Sequence, residues 1–98
     1  MLTPSQARLL RWLGKFSKEL VDSWDVPREL SLPGLSEALG VVRSALHSPL
    51  NALMEGGLVE FRLAHVIGGG SRRRNVYHLT EAGRVELANL PEQEIEEA

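Results

Sequence analysis

Two helical patterns separated by only two residues constrain the fold of this chain more than any other feature. The first covers residues 32–39, with Ser31 suited to the N-cap and Gly40 to the left-handed position that closes a helix. The second follows Val41 and Val42 and ends at Gly56. Its apolar residues recur at helical spacing: Leu46, Leu50, Leu53 and Met54. Two helices joined by a tight glycine-containing turn predict a helix-turn-helix.

An amphipathic helix is predicted before this pair, over about residues 4–22. Thr3 and Gln6 form a capping box around Pro4, a residue favoured in the first helical turn. Apolar residues spaced by three or four form its buried face: Leu9, Leu13, Phe16 and Leu20. Basic residues occupy the opposite face: Arg11, Lys15 and Lys18.

A β-hairpin is predicted after the glycines, because the hydrophobic period changes there to two. Its strands would cover 58–67 and 75–79, with Tyr77 and Leu79 opposite Leu63 and Phe61. One face of the first strand carries its apolar residues: Val59, Phe61, Leu63 and Ile67. Thr80 is suited to cap a last helix over about 81–90, which Pro91 halts.

The composition is that of one globular domain, expected over residues 1–90, followed by an acidic tail or the start of a linker at 91–98. The absence of cysteine excludes a disulfide framework, a zinc ribbon and a thiol nucleophile. The longest run without a charged residue, 44–54, has 11 residues, about half a membrane span. We therefore expect a soluble, cytoplasmic protein with no membrane partner.

Charge is segregated along the chain, although the 98 residues sum to a net charge of −2. Residues 1–18 carry +4 and residues 40–80 carry +3, whereas 19–39 carry −4 and 81–98 carry −5. The near-neutral total argues against indiscriminate coating of polyanions, but it is compatible with a local basic surface.

Two sets of polar residues are candidates for contact with nucleic acid. With Leu46 set inward, a step of about 100° per residue turns polar side chains of the third helix outward. They are Arg43, Ser44, His47, Ser48 and Asn51. Three consecutive arginines, Arg72, Arg73 and Arg74, follow the glycines of the hairpin loop. Guanidinium groups suit phosphates and a narrow minor groove. The alternatives are an ordinary solvated helix face and charges that protect an edge strand from aggregation.

Catalytic and metal sites are not expected. His47 lies on a helix and His65 and His78 on opposite strands, with no ligand partner at metal spacing. Ser48 lacks the context of a nucleophile elbow, and the residues at 68–71 lack the ending of a phosphate loop. The sequence therefore predicts a protein that is not an enzyme and holds no cofactor and no metal.

Residues 30–84 resemble winged-helix transcriptional regulators of the MarR and PadR types. The resemblance rests on LSEALGVVRSALHSPLNALMEGGLV, on the basic hairpin and on YHLTEAG at the junction with the last helix. It implies an α+β, mostly α fold with a three-helix core, a β-hairpin wing and a C-terminal helix. It also implies sequence-specific binding of double-stranded DNA, with the third helix in the major groove and the wing on the backbone or minor groove. The departures are Val42 in place of a Ser or Thr cap, Pro49 inside the third helix, and a short last helix.

The resemblance also bears on partners, since regulators of this type commonly dimerise through terminal helices. The last helix has two apolar faces, one with Ala82, Val85 and Ala88 and the other with Leu87 and Leu90. We therefore expect a second element to cover one of them, and a homodimer is one such arrangement. A protein-binding or dimerisation module of a larger regulatory protein is the competing function, and RNA binding is a smaller third one.

Overall fold

The computed structural model of the protein describes residues 2–16, 18, 24–70 and 72–91. In chain order, the elements of this part are α1 (Pro4–Leu13), β1 (Asp25–Val26), a 3-10 helix (Arg28–Leu30), α2 (Leu32–Leu39), α3 (Ser44–Glu55), β2 (Val59–Val66), β3 (Arg73–Leu79) and α4 (Glu81–Asn89). The predicted α+β class is confirmed. The acidic residues 92–98 lie outside the described residues.

α1 begins as predicted but ends early. Thr3 and Gln6 form the reciprocal capping box, and the helix stops at Leu13 instead of continuing to about residue 22. Gly14 follows, and the backbone then changes to the tighter i→i−3 pattern, in which the N–H of Lys15 donates to the carbonyl of Trp12. Glycine supports a helix poorly, which explains the stop. The rest of the predicted helix, including Leu20, lies largely outside the described residues.

α2 and α3 follow one another across a short turn, as predicted. Ser31 Oγ accepts the N–H of Gly34, and Gly40 ends α2 with φ 69°. α3 starts without a side-chain cap, as expected, but its N-cap residue is Arg43 and not Val42. Backbone N–H groups of its first turn donate instead to the carbonyls of Val42 and Arg43.

Pro49 belongs to the core of the domain. It is buried within α3 and lines a small cavity together with Leu9 of α1 and Leu39 of α2. Its burial places the proline on the inward side of α3, so it does not lie on the outward face of the helix.

The three strands form one sheet in the order β1-β2-β3, with β1 parallel to β2 and β3 antiparallel to it. The sequence did not predict β1. The predicted hairpin register was wrong by two residues, because Tyr77 lies opposite Phe61 and Leu79 opposite Val59. The tight turn at 66–69 causes the shift, since it places Arg73 and Arg74 in the ladder and not in the loop.

The core lies between the helices and the sheet. Its buried residues are mostly leucines and valines: Leu9, Leu10, Leu13, Val26, Leu30, Leu35, Leu39, Leu46, Leu50, Leu53, Val59, Ala64, Val66, Val76 and Leu79. Of the apolar face predicted for β2, only Val59 is buried. Phe61 and Leu63 are 55% and 57% exposed, because in this part of the strand the buried residues, Ala64 and Val66, lie on the other face.

α4 follows β3 directly and is capped by Thr80, whose Oγ1 accepts the N–H of Gly83 and donates to the carbonyl of Gly57. Leu87 and Leu90 pack against the core. Ala82, Val85 and Ala88 are exposed, so the described chain covers one of the two predicted apolar faces and leaves the other open.

Candidate nucleic-acid interface

The outward face of α3 has the residues that the sequence predicted. Leu46, Leu50 and Leu53 are buried, which orients the helix on the core. The side chains of the predicted set are all exposed: Arg43, Ser44, His47, Ser48 and Asn51. A helix surface of hydrogen-bond donors and acceptors with a cation at its N-terminal end can contact base edges and phosphates.

The three arginines of the β2–β3 hairpin are also exposed, but they do not form one cluster. Arg73 and Arg74 are consecutive residues of β3, opposite His65 and Ala64 of β2. Side chains of adjacent strand residues point to opposite faces. Arg74 therefore shares the face of buried Ala64, toward the helical body, whereas Arg73 shares the face of His65.

A basic cleft joins the hairpin to the helices. It has a volume of about 240 Å³, and its charged lining residues, Arg28, Arg43 and Arg74, come from three different elements. The remaining lining residues are Ser31, Pro33, Val66, Gly68 and Gly69. The start of α3 and the tip of the hairpin, which are 31 residues apart at Arg43 and Arg74, thus border the same cleft.

Arg28 is a site residue that the sequence did not single out. Its Nη1 and Nη2 donate to Glu37 Oε1 and Oε2 at 2.5 and 2.8 Å, a forked geometry that holds the guanidinium in place. The hydrogen bond from Arg28 lowers the pKa of the Glu37 carboxyl, and the charge of Arg43 lowers it further. The hydrogen bond to Glu37, together with the charge of that carboxylate, raises the pKa of Arg28. The carboxylate and both guanidinium groups therefore act on one another at the edge of the cleft.

The glycines at 68–70 form the turn and bring Arg74 close to it. Gly68 and Gly70 both have φ 80°, a conformation that residues with a Cβ rarely adopt. The N–H of Gly69 donates to the carbonyl of Val66 at 2.8 Å, which closes the turn. A Cβ at Gly69 would lie 3.3 Å from Arg74 Nε, so the glycine allows the guanidinium to lie against the turn.

Comparison with solved structures finds the same fold in the crystal structure of a "putative DNA-binding protein" from Ralstonia eutropha JMP134. The two superpose with a TM-score of 0.63 and 22% sequence identity, over 90% of this chain and 95% of that one. The two chains share a fold. No protein-family model matches the chain, and no curated protein sequence matches it.

The histidines occupy three separate environments. His47 is on the outward face of α3, and His65 stacks on Trp24 with ring centroids 5.2 Å apart. His78 Nε2 lies 3.9 Å from Glu60 Oε1 across the hairpin, a pair that the sequence analysis did not identify. Among the described residues, no group of three or more possible ligands is placed to hold a metal ion. No helix in the described part of the chain is long and apolar enough to span a bilayer.

Proposed function

We propose that this chain is a winged helix-turn-helix domain of a transcriptional regulator, similar to those of the MarR and PadR types. It binds double-stranded DNA in a sequence-specific way and acts without catalysis or a cofactor. α3 enters the major groove with Arg43, Ser44, His47, Ser48 and Asn51 toward the bases and phosphates. The β2–β3 hairpin is the wing and contacts the backbone or the minor groove through Arg72, Arg73 and Arg74.

The basic cleft is the observation that carries this proposal. It places Arg43, at the cationic end of α3, beside Arg74 of the hairpin, so one residue of each predicted contact set borders the same positive depression. A duplex lying against α3 would meet the hairpin without any rearrangement of the domain. The shared fold with a protein named for DNA binding supports the same proposal.

Fluorescence anisotropy with a labelled duplex of mixed sequence, between about 50 and 200 mM salt, tests binding. Each phosphate contact contributes about −0.9 to the slope of log affinity against log salt. Replacing Arg72, Arg73 and Arg74 by Ala should weaken binding and flatten this slope. Arg8→Ala, which removes an exposed cation from α1, is the control and should change the slope less. Absence of binding by the wild type at 50 mM salt would refute the proposal.

Selection from a randomised duplex pool tests specificity. Side chains that contact base edges change which sequence is preferred, whereas phosphate contacts change affinity evenly across sequences. Asn51→Ala should therefore relax the selected consensus at one position, while Arg72→Ala should leave the consensus unaltered. If neither Asn51→Ala nor His47→Ala changed the consensus, these two side chains would not contact the bases, and the proposed role of the α3 face would be wrong.

A protein-binding or dimerisation module is the second candidate, and the hairpin supplies an observation in its favour. Phe61 and Leu63 share one face of β2, and they and Ile67, just after the strand, are each more than half exposed. Exposed apolar patches mark protein contacts. Sedimentation equilibrium of the wild type and Leu63→Ser distinguishes the cases: a dimer lost in the variant supports a self-association surface on this face.

A further inference from the structure

We propose that the cleft bordered by Arg28, Arg43 and Arg74 binds a single backbone phosphate of the duplex, which is contacted both from the helical part of the domain and from the hairpin. The inference rests on the proposed DNA-binding function and assigns one part of it. It gives Arg74 a different role from its neighbours, and it brings in Arg28, which lies outside α3 and the hairpin.

The charge and shape of the cleft suit an anion. All charged residues in its lining are arginines, and they reach it from the 3-10 helix, from the residue before α3 and from β3. Glu37 lies beside Arg28 and offsets one of the three positive charges, which leaves a net of about two. A phosphodiester carries one negative charge and accepts forked hydrogen bonds from guanidinium groups.

One of the three guanidinium groups is held by hydrogen bonds before any ligand arrives, and a second lies against the turn. Glu37 accepts two hydrogen bonds from Arg28, and Arg74 lies against Gly69 in the turn. Ordering a long side chain on binding costs free energy, so groups already in place bind an anion more tightly. Glu37 accepts one hydrogen bond each from Nη1 and Nη2 of Arg28, so Arg28 acts on an anion in the cleft through its charge and its remaining N–H groups.

Strand geometry selects Arg74 from the three consecutive arginines. Arg74 shares the body-facing side of β3, next to the cleft, whereas Arg73 lies on the opposite side across from His65. Arg72 precedes the strand and does not line the cleft. One phosphate between Arg43 and Arg74 would therefore fix the spacing between α3 and the hairpin on the duplex.

A double-mutant cycle on duplex binding tests the shared phosphate. Arg43→Gln and Arg74→Gln should each weaken binding roughly 10-fold at 100 mM salt, since each removes a charged hydrogen bond. Because both act on one phosphate, the double variant should lose clearly less than the product, and its salt slope should flatten by about 0.9 in total. The matched pair Arg43→Gln with Arg72→Gln should be additive and flatten the slope by about 1.8.

The outcomes separate the inference from the function on which it rests. If the wild type binds DNA and Arg43→Gln with Arg74→Gln is fully additive, two different phosphates are involved and the inference is wrong. It is equally wrong if neither single substitution changes binding. If the wild type does not bind DNA, the proposed function fails and the inference fails with it.

A second experiment tests whether the cleft binds a small free anion instead of a phosphate of the duplex. The melting temperature is measured in inorganic phosphate and in chloride at equal ionic strength, for the wild type and for Arg74→Gln. A duplex phosphate site should show little stabilisation by millimolar phosphate. Strong stabilisation that Arg74→Gln abolishes, with DNA binding unchanged by the same substitution, would assign the cleft to a small anionic ligand and overturn the inference.

Discussion

Replacing Gly83 by Ala should destabilise the domain, even though alanine is the better helix former. Gly83 lies in the first turn of α4, buried against the start of β2. A Cβ there would lie 3.0 Å from the carbonyl carbon of Leu58 and closer still to its oxygen. That oxygen accepts the N–H of Thr80 at 3.0 Å, so it cannot move away without loss of the bond that joins the hairpin to α4.

Two effects of opposite sign set the magnitude. The helix propensity of alanine favours the variant by about 1 kcal/mol. Overpacking typically costs about 1–3 kcal/mol. The upper end applies here because the new Cβ is fixed to the backbone of α4 and would clash with the backbone carbonyl of Leu58, so no side chain can rotate away. The expected net loss is about 2 kcal/mol, which in a domain of this size lowers the melting temperature by about 8–16 °C. This is a large part of the roughly 5–15 kcal/mol that stabilises a typical domain.

Urea unfolding followed by tryptophan fluorescence measures the change, with Gly56→Ala as the matched control. Gly56 has φ −79°, and a Cβ there would meet Ala52 O at an ordinary 3.5 Å. Alanine should therefore stabilise at that position by about 0.4–1 kcal/mol, through the unfolded chain. If Gly83→Ala proved as stable as Gly56→Ala, the close packing of α4 on β2 would be wrong.

Two further changes probe the bonds that place the elements around the cleft. Thr80→Ala removes the α4 cap and the bond to the carbonyl of Gly57, and should cost about 1 kcal/mol in urea unfolding. Thr80→Ser keeps the hydroxyl and should cost clearly less, so equal losses would contradict the capping role. Arg28 lowers the pKa of Glu37, so their bond stabilises the fold above the ordinary glutamate pKa of about 4.3 and is lost as the pH falls through the lower folded pKa. The stability difference between wild type and Glu37→Gln should therefore shrink between about pH 5 and 3, and a difference independent of pH would refute the assignment.

The features that could be predicted from the sequence are those that a few neighbouring residues determine. The caps at Thr3, Ser31 and Thr80 all form, because each depends on a backbone N–H about three residues away. Gly40 takes the left-handed conformation for the same local reason. The outward face of α3 was also predictable, since the buried leucines fix the rotation of the helix about its axis.

The features that were missed depend on contacts between distant segments. The hairpin register followed from where the chain turns, and a loop with three glycines allows more than one turn position. The pair of Arg28 with Glu37 needs the 3-10 helix to pack beside α2, a contact with no local pattern in the sequence. The exposure of Phe61 was missed because alternation identifies two faces of a strand but not which one the body covers.

The run at 72–74 shows how local pattern and tertiary structure together define a site. Alternation predicts that Arg73 and Arg74 diverge, whatever the fold. Only the packed structure assigns Arg74 to the side of Arg43 and Arg28. A basic run is usually tested by removing all its charges at once, and that experiment measures the sum of contacts on two faces of a sheet. Single substitutions are required here, because arginines adjacent in sequence face different surroundings and, on the proposed model of binding, different parts of the duplex.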